Sequence, residues 1–446
     1  MSRIPARAAT FIRAVTPDPF VLALGLTLVV FVWSWWQGSL GFFDLLDAWA
    51  AGPRGFWSLL RFGMQMCMVL VTGLVLARTR PVARAIEVLA QLPRTPAQAT
   101  VVVALTAMLT ALVSWGLGLV VGALLAREVA RALERSGRPV QRSALAAAGY
   151  SGLVVWHGGL SGSAPLKLTK MEDVVEVLGP ELAAQVGTLG LDQTVGHPRN
   201  LLVTGAAVLV IVATLAWWTS RSGEESDEVR EPPAEAVPIA SPGLAGVLET
   251  GPWLSAPVAL LGLLWVARWV AAGSWRSMDP NVLSFAMLCL GLLVAGSPAA
   301  YLRPLGEAAR ACAGIILQFP FYAGIMGMMV ASGLAASLSG ALPEDPRLLP
   351  LATFLSAGVV NFFVPSGGGQ WAVQGPIVVQ AALDAGVEVE RVVLAMAWGD
   401  QWTNLLQPFW ALPLLGLTGV RVGALMSYTV VVAGTVGVVF ALGTLL

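Results

Sequence analysis

The apolar stretch 349–383 has Asn361-Phe-Phe-Val-Pro-Ser-Gly-Gly-Gly-Gln-Trp371 at its centre, and no single helix runs through that segment. Proline lacks an amide donor, and each glycine costs about 1 kcal/mol in a helix interior. In hydrocarbon, unwound backbone persists only where protein or a polar cavity satisfies its amides. A helix broken at mid-membrane depth therefore points to a binding site. The surrounding chain fits that setting. It is 57% hydrophobic and 12% charged, with mean hydropathy +0.76, where a soluble domain carries about 25% charge.

These properties predict an all-α polytopic membrane protein. A spanning helix needs about 20 apolar residues. Nine stretches qualify: 20–37, 56–78, 144–165, 199–219, 253–271, 281–297, 313–339, 391–417 and 422–446. The first is read as a retained span, because no small-residue cleavage site follows Trp36. Two further stretches, 98–126 and 349–383, are read as re-entrant hairpins with arms of about 14 residues. The first is flanked by Arg94 and by Arg127, Arg131, Arg135, Arg138 and Arg142, so it enters from the cytoplasm, and 349–383 enters from outside. With Arg3, Arg7 and Arg13 cytoplasmic, most Lys and Arg residues fall on the inner side.

Residues 220–250 read as an acidic, Pro-rich cytoplasmic linker, with Glu224, Glu225, Asp227, Glu228, Glu231 and Glu235. They separate two halves, 1–219 and 251–446. The run Phe62-Gly-Met-Gln-Met66 and its continuation to Gly73 resemble Phe319-Pro-Phe-Tyr-Ala-Gly324 and its continuation to Gly333. Each run precedes a hairpin and then a broken helix, with an odd number of crossings between the units. That is the plan of two inverted repeats in a secondary transporter.

Four glycine-rich breaks carry the candidate chemistry: Ser114-Trp-Gly-Leu-Gly118, Trp156 to Pro165, Asn361 to Trp371, and Gly399-Asp-Gln-Trp-Thr-Asn404 running on to Pro408. Free amides at half-helix N-termini suit an anionic head group. The candidate substrate- and ion-binding residues are Ser114, Trp115, Gly116, Gly118, His157, Gly159, Ser161, Ser163, Asn361, Pro365, Ser366, Gly367, Gly368, Gly369, Asp400, Gln401, Thr403 and Asn404. The competing reading is that the glycines only allow close helix packing. Four breaks in matched positions favour a site.

Asp400 is the single carboxylate placed inside a span, and an intramembrane acid is a functional candidate by default. It is read as a proton carrier, a cation ligand or a brace for the unwound segment. His157, in the corresponding break of the other half, is read as a hydrogen-bonded structural histidine or a proton relay. Arg61 is read as a snorkelling residue ahead of a substrate cation. Trp115, Phe319, Phe321, Trp371 and Trp402 are the candidate aromatic walls. Cys67, Cys289 and Cys312 have no metal or redox spacing and read as packing thiols, and the seventeen tryptophans suit interfacial anchoring. The zero formal net charge implies no nucleic acid or other polyanionic partner.

At these residues the chain resembles the bacterial short-chain fatty acid transporters. The resemblance rests on Phe62 to Met66, Trp115 to Gly122 with Ala126-Arg-Glu-Val-Ala-Arg131, and Ser161-Gly-Ser-Ala-Pro-Leu166. It rests also on Phe319 to Gly324, Asn361 to Trp371 with Gln374-Gly-Pro376, and Gln401-Trp402 with Gln407 to Pro413. It runs from about Pro17 to the C-terminus and is weak in 167–198 and the linker. It implies an inner-membrane permease for acetate-to-butyrate-sized monocarboxylates and acetoacetate, driven by cation symport. It also implies a place in the wider ion transporter superfamily, with opposed hairpins, an elevator-type motion and, by family habit, a dimer. Asn361, Ser366 and Gly367 to Gly369 carry over as site residues. Two positions depart from the family pattern: Ser114 stands where Asn usually precedes Trp-Gly, and His157 enters a break that is usually all glycine.

The expected function is therefore import of a small monocarboxylate with H+ or Na+, the sodium lying near Ser114 and Asn361, and no cofactor. The same architecture carrying a dicarboxylate or amino acid is the alternative, less favoured because the breaks hold no arginine pair. An intramembrane enzyme would need clustered acids and histidines, which this chain lacks.

Overall fold

The computed structural model describes residues 19–52, 54–221 and 243–446, and within those residues the secondary structure is helical with no strand. The arginines at 3, 7 and 13 and the linker acids from Glu224 to Glu235 lie outside the described residues. The chain begins with α1 (Pro19–Trp36), α2 (Phe42–Ala50), α3 (Leu60–Ala77) and α4 (Arg80–Ala90). Then come α5 (Pro96–Val113), α6 (Trp115–Arg135), α7 (Arg142–Tyr150), α8 (Ser163–Lys167), α9 (Met171–Leu178), α10 (Pro180–Val186) and α11 (Pro198–Thr219). The second part holds α12 (Gly243–Thr250), α13 (Ser255–Ala271), α14 (Pro280–Ala295), α15 (Pro298–Leu302), α16 (Leu305–Ala311), α17 (Ala313–Ala331) and α18 (Leu334–Ser339). It closes with α19 (Leu349–Val360), α20 (Gly367–Asp384), α21 (Val389–Thr403), α22 (Pro408–Thr418) and α23 (Val422–Gly443).

Among the described residues, six helical stretches are long and apolar enough to cross a membrane: Leu60–Ala77, Pro96–Val113, Pro198–Thr219, Gly243–Ala271, Ala313–Ala331 and Val422–Gly443. The helices Phe20–Trp36 and Pro280–Ala295 are apolar but shorter. Three expectations change in detail. The arm α5 runs for 18 residues rather than about 14, because Thr95 caps it by accepting from the Gln98 amide and Pro96 supplies a ready first-turn φ. The stretch 144–165 holds no long helix: α7 ends at Tyr150, two 3₁₀ turns follow, and α8 restarts at Ser163. Residues 243–250, assigned to the linker, are helical in α12.

The breaks fall where the sequence puts them. Ser114 is extended (φ −154°, ψ 127°) between α5 and α6. Ser366 is extended in the same way (φ −151°, ψ 112°) ahead of α20, and its hydroxyl accepts from the Gly369 amide at 3.3 Å. The two similar runs also meet in space, with Phe62 of α3 and Phe319 of α17 edge-to-face at 5.5 Å between centroids. Beneath the breaks, buried Trp398 stacks on Phe440 and Trp402 on Phe354, which fixes α21 against α23 and α19.

Candidate functional site

The four breaks converge. Residues 112–115, the α5–α6 turn, dock on the first broken helix: the Trp115 amide donates to Ser161 Oγ at 2.9 Å, and the Leu160 amide donates to the Leu112 carbonyl at 2.7 Å. Gly159 lies so close to the Leu112 backbone that no side chain fits there. Residues 361–366 dock on the second broken helix. Asn361 Nδ2 lies 2.7 Å from the Asp400 carbonyl and 3.0 Å from both Thr403 Oγ1 and Asn404 Oδ1. Gln407 Nε2 donates back to the Asn361 carbonyl at 2.7 Å, and Trp410 Nε1 to the Pro365 carbonyl at 2.8 Å.

The two broken helices are then tied to each other. Tyr150 Oη lies 2.9 Å from the carbonyls of both Asn404 and Gln407, and Asn404 Nδ2 donates to the Leu153 carbonyl at 3.3 Å. The His157 amide donates to Gln401 Oε1 at 3.0 Å, and His157 Nε2 lies 3.2 Å from Asp400 Oδ1. Both side chains of that pair are almost fully buried, at 1% and 2% exposure.

Between the breaks lies a narrow pocket. Its lining draws on every break: Trp115 from the first, Trp156 from the second with Leu153 just before it, Ser366 from the third, and Asn404 from the fourth with Trp410 just after it. Met66 of α3 and Ile315 of α17 close it. The lining is mostly aromatic and aliphatic with two neutral polar side chains, a composition suited to a small organic molecule with one polar end.

The sequence profile described as "Short chain fatty acid transporter" matches residues 1–446. The chain belongs to this family. It is 34% identical over 456 residues to a "Putative short-chain fatty acid transporter" of Escherichia coli (strain K12), covering 99% of each chain. It is 33% identical over 435 residues to a protein of the same description from Haemophilus influenzae, covering 96% of each. Two solved structures share the fold. The Alcanivorax borkumensis YdaH transporter has TM-score 0.58 and 16% identity over 96% of this chain and 97% of that one. Neisseria gonorrhoeae MtrF, described within a class of antimetabolite efflux pumps, has TM-score 0.55 and 14% identity over 99% and 97%. This short-chain fatty acid transporter family member is thus a membrane transporter rather than an enzyme.

Within this family member the remaining candidates divide by environment. Gly116 and Gly118 pack α6 against Leu70 and Ala111, and Ser163 Oγ lies 3.6 Å from Met66 Sδ behind the pocket wall. Gly368 sits between the Phe62 and Phe319 rings, and Gly369 lies against Tyr322. Gly367 abuts the first broken helix, where a Cβ would stand 2.5 Å from His157 Nε2 and 2.8 Å from the Trp156 ring. Ser114 Oγ, Asn361 Oδ1, Gln401 Nε2, Trp156 Nε1, His157 Nδ1 and Asp400 Oδ2 are buried with no protein hydrogen-bond partner.

Some walls are not those expected. Trp115 lines the pocket, but Phe321 packs on Phe20 and Phe56, and Trp402 stacks on Phe354 while its Nε1 donates to the Ala433 carbonyl. Trp371 is fully buried within α20 beside Gly375. Trp156 and Trp410 take their place.

Asp400 is also not alone as a buried acid. Asp173 and Asp279 are fully buried, and so is Lys167. Lys167 Nζ pairs with Asp173 Oδ1 at 2.8 Å and with Glu176, and it stands 4.5 Å over the Phe62 ring. Lys170 pairs with Asp279 at 2.6 Å. Arg61 points into this network, 3.3 Å from Asp173 and 3.5 Å from Glu172, and is not in the pocket lining. His197 caps α11, its Nδ1 accepting from the Arg199 amide.

Proposed function

We propose that this chain imports short-chain monocarboxylates of butyrate or acetoacetate size by symport with a cation, H+ or Na+, through alternating access of the elevator type. The observation that carries this reading is a pocket to which all four helix breaks contribute. Ser366 and the free amides opening α20 suit the carboxylate, because a helix N-terminus carries partial positive charge. The indole faces of Trp115, Trp156 and Trp410 suit a short alkyl chain. Among the described residues no lysine or arginine is in the lining, which favours one carboxylate over two.

The elevator reading draws on the ties between the broken helices. Tyr150, Leu153 and His157 bind Asn404, Gln407, Gln401 and Asp400, so the walls of the pocket are fit to move as one body. Alternating access then means carrying this body past α3 and α17. We place the protein in the bacterial inner membrane with a cytoplasmic N-terminus, as two inverted repeats, 1–219 and 251–446, assembled as a homodimer. A sodium-driven version would use the oxygens around Asn361 and Ser114.

Radiolabelled butyrate uptake into proteoliposomes, with a pH gradient and a sodium gradient imposed separately, tests the reading. Accumulation above the equilibrium level under one gradient supports it. No butyrate uptake under either gradient overturns the substrate assignment and leaves the family membership intact.

A further inference from the structure

The His157–Asp400 contact joins the first broken helix to the second, and it is a pair of titratable groups with spare capacity. With the Nε2 proton directed at Asp400 Oδ1 (3.2 Å), the neutral imidazole presents Nδ1 as a bare acceptor. Nδ1 and Asp400 Oδ2 are both buried without a protein partner. In this state the pair holds one net negative charge away from water, which is costly when unbalanced. One added proton turns it into an imidazolium–carboxylate pair of zero net charge.

The pair stands directly behind the pocket. The Trp156 ring, which lines the pocket, lies 3.7 Å centroid to centroid from the His157 ring. On another side His157 Nε2 meets Gly367, the residue after the pocket-lining Ser366. No competing charge faces it. Of the elements packed on the pair, α5, α19 and α23 carry no titratable charged side chain. Lys167 of α8 is held by Asp173 and Glu176, Arg199 of α11 reaches the Leu446 carbonyl, and Asp384 of α20 accepts from Gln380. Glu390 and Arg391 of α21 lie about 15 Å along the helix from Asp400.

We propose that the His157–Asp400 pair is the proton-binding site of this transporter, loaded with one proton for each monocarboxylate carried. A proton from water on the outer side adds to the pair, the anion enters the pocket, and both leave to water on the inner side, so the cycle is electroneutral. The empty deprotonated pair opposes an anion one ring away, and the protonated pair does not. Binding free energies are reciprocal, so substrate raises the proton occupancy by the same factor that the proton raises substrate affinity. This inference rests on the monocarboxylate reading given above.

Calorimetric titration of the purified full chain with butyrate, in buffers of different ionisation enthalpy between about pH 6 and 9, counts the protons. Wild type is expected to take up one proton per butyrate, its Kd weakening about tenfold per pH unit once the pair is deprotonated. Asp400→Asn and His157→Gln should each flatten that slope and abolish the uptake. A zero slope in wild type, or a slope that persists in both variants, overturns the proposal. Should the variants fail to fold, the proton count and slope of wild type decide it. Butyrate binding that depends on sodium with no proton uptake removes this inference alone. No butyrate binding at any pH removes the substrate reading and this inference together.

Discussion

Ser161 Oγ accepts the backbone amide of Trp115 at 2.9 Å, so a side chain of one broken segment caps the helix that starts in another. Ser161→Ala leaves that amide buried and unpaired, at a cost of about 1–3 kcal/mol. The expected outcome is a lower unfolding temperature together with weaker butyrate uptake, because Trp115 is a wall of the pocket. Thermal unfolding in detergent and uptake assays on the same preparation check it, and unchanged values in both would remove the capping role.

Lys167 is a structural cation. Lys167→Met takes the cation from Glu176 and leaves buried Asp173 with only the half-exposed Arg61 at 3.3 Å, and breaking a buried pair in this way costs about 3–5 kcal/mol. The double variant Lys167→Met/Asp173→Asn should recover part of that loss. A thermal-shift comparison of the three proteins decides the matter, and a single variant as stable as wild type refutes it.

Gly367→Ala places a methyl group 2.5 Å from His157 Nε2, where neither backbone nor ring has room to give. Gly416→Ala in α22 meets nothing within 4 Å and serves as the control. Butyrate transport is expected to fall at least about tenfold in the first, equivalent to about 1.4 kcal/mol. The second should match wild type in transport and gain slightly in stability, as alanine favours a helix. Equal transport by the two variants would sink the assignment of this contact.

Ile315 closes the apolar part of the pocket. Ile315→Ala should shift preference towards longer chains. A methylene in a hydrophobic pocket is worth about 1–3 kcal/mol, so the hexanoate-to-butyrate ratio of kcat/KM should rise about tenfold or more. Competition uptake with a series of unbranched acids measures this, and an unchanged ratio would place the alkyl chain elsewhere.

The breaks were legible because their chemistry is local. Pro365 with three glycines stops a helix whatever surrounds it, and Ser114 and Ser366 are good residues for an extended cap. Which aromatic side chain faces the pocket is a tertiary matter: Trp402 and Trp410 lie eight residues apart, yet one stacks on Phe354 and the other turns to Pro365. Lys167 escaped notice because Asp173 and Glu176, six and nine residues further on, read as an ordinary polar loop. Only the turn from α8 into α9 brings the three together, with Lys167 and Asp173 fully buried and Lys167 over the Phe62 ring. The approach of His157 to Asp400 crosses most of the chain's length, and no short-range pattern encodes it.

The pocket owes its shape to four short segments that contribute only one or two side chains each. Selectivity in such a molecule is divisible. A single exchange at Trp115, Trp156, Ser366 or Trp410 alters one face of the cargo's surroundings and leaves the other three standing. The family is thereby open to stepwise change of diet, one residue at a time, without passing through a protein that has lost its fold.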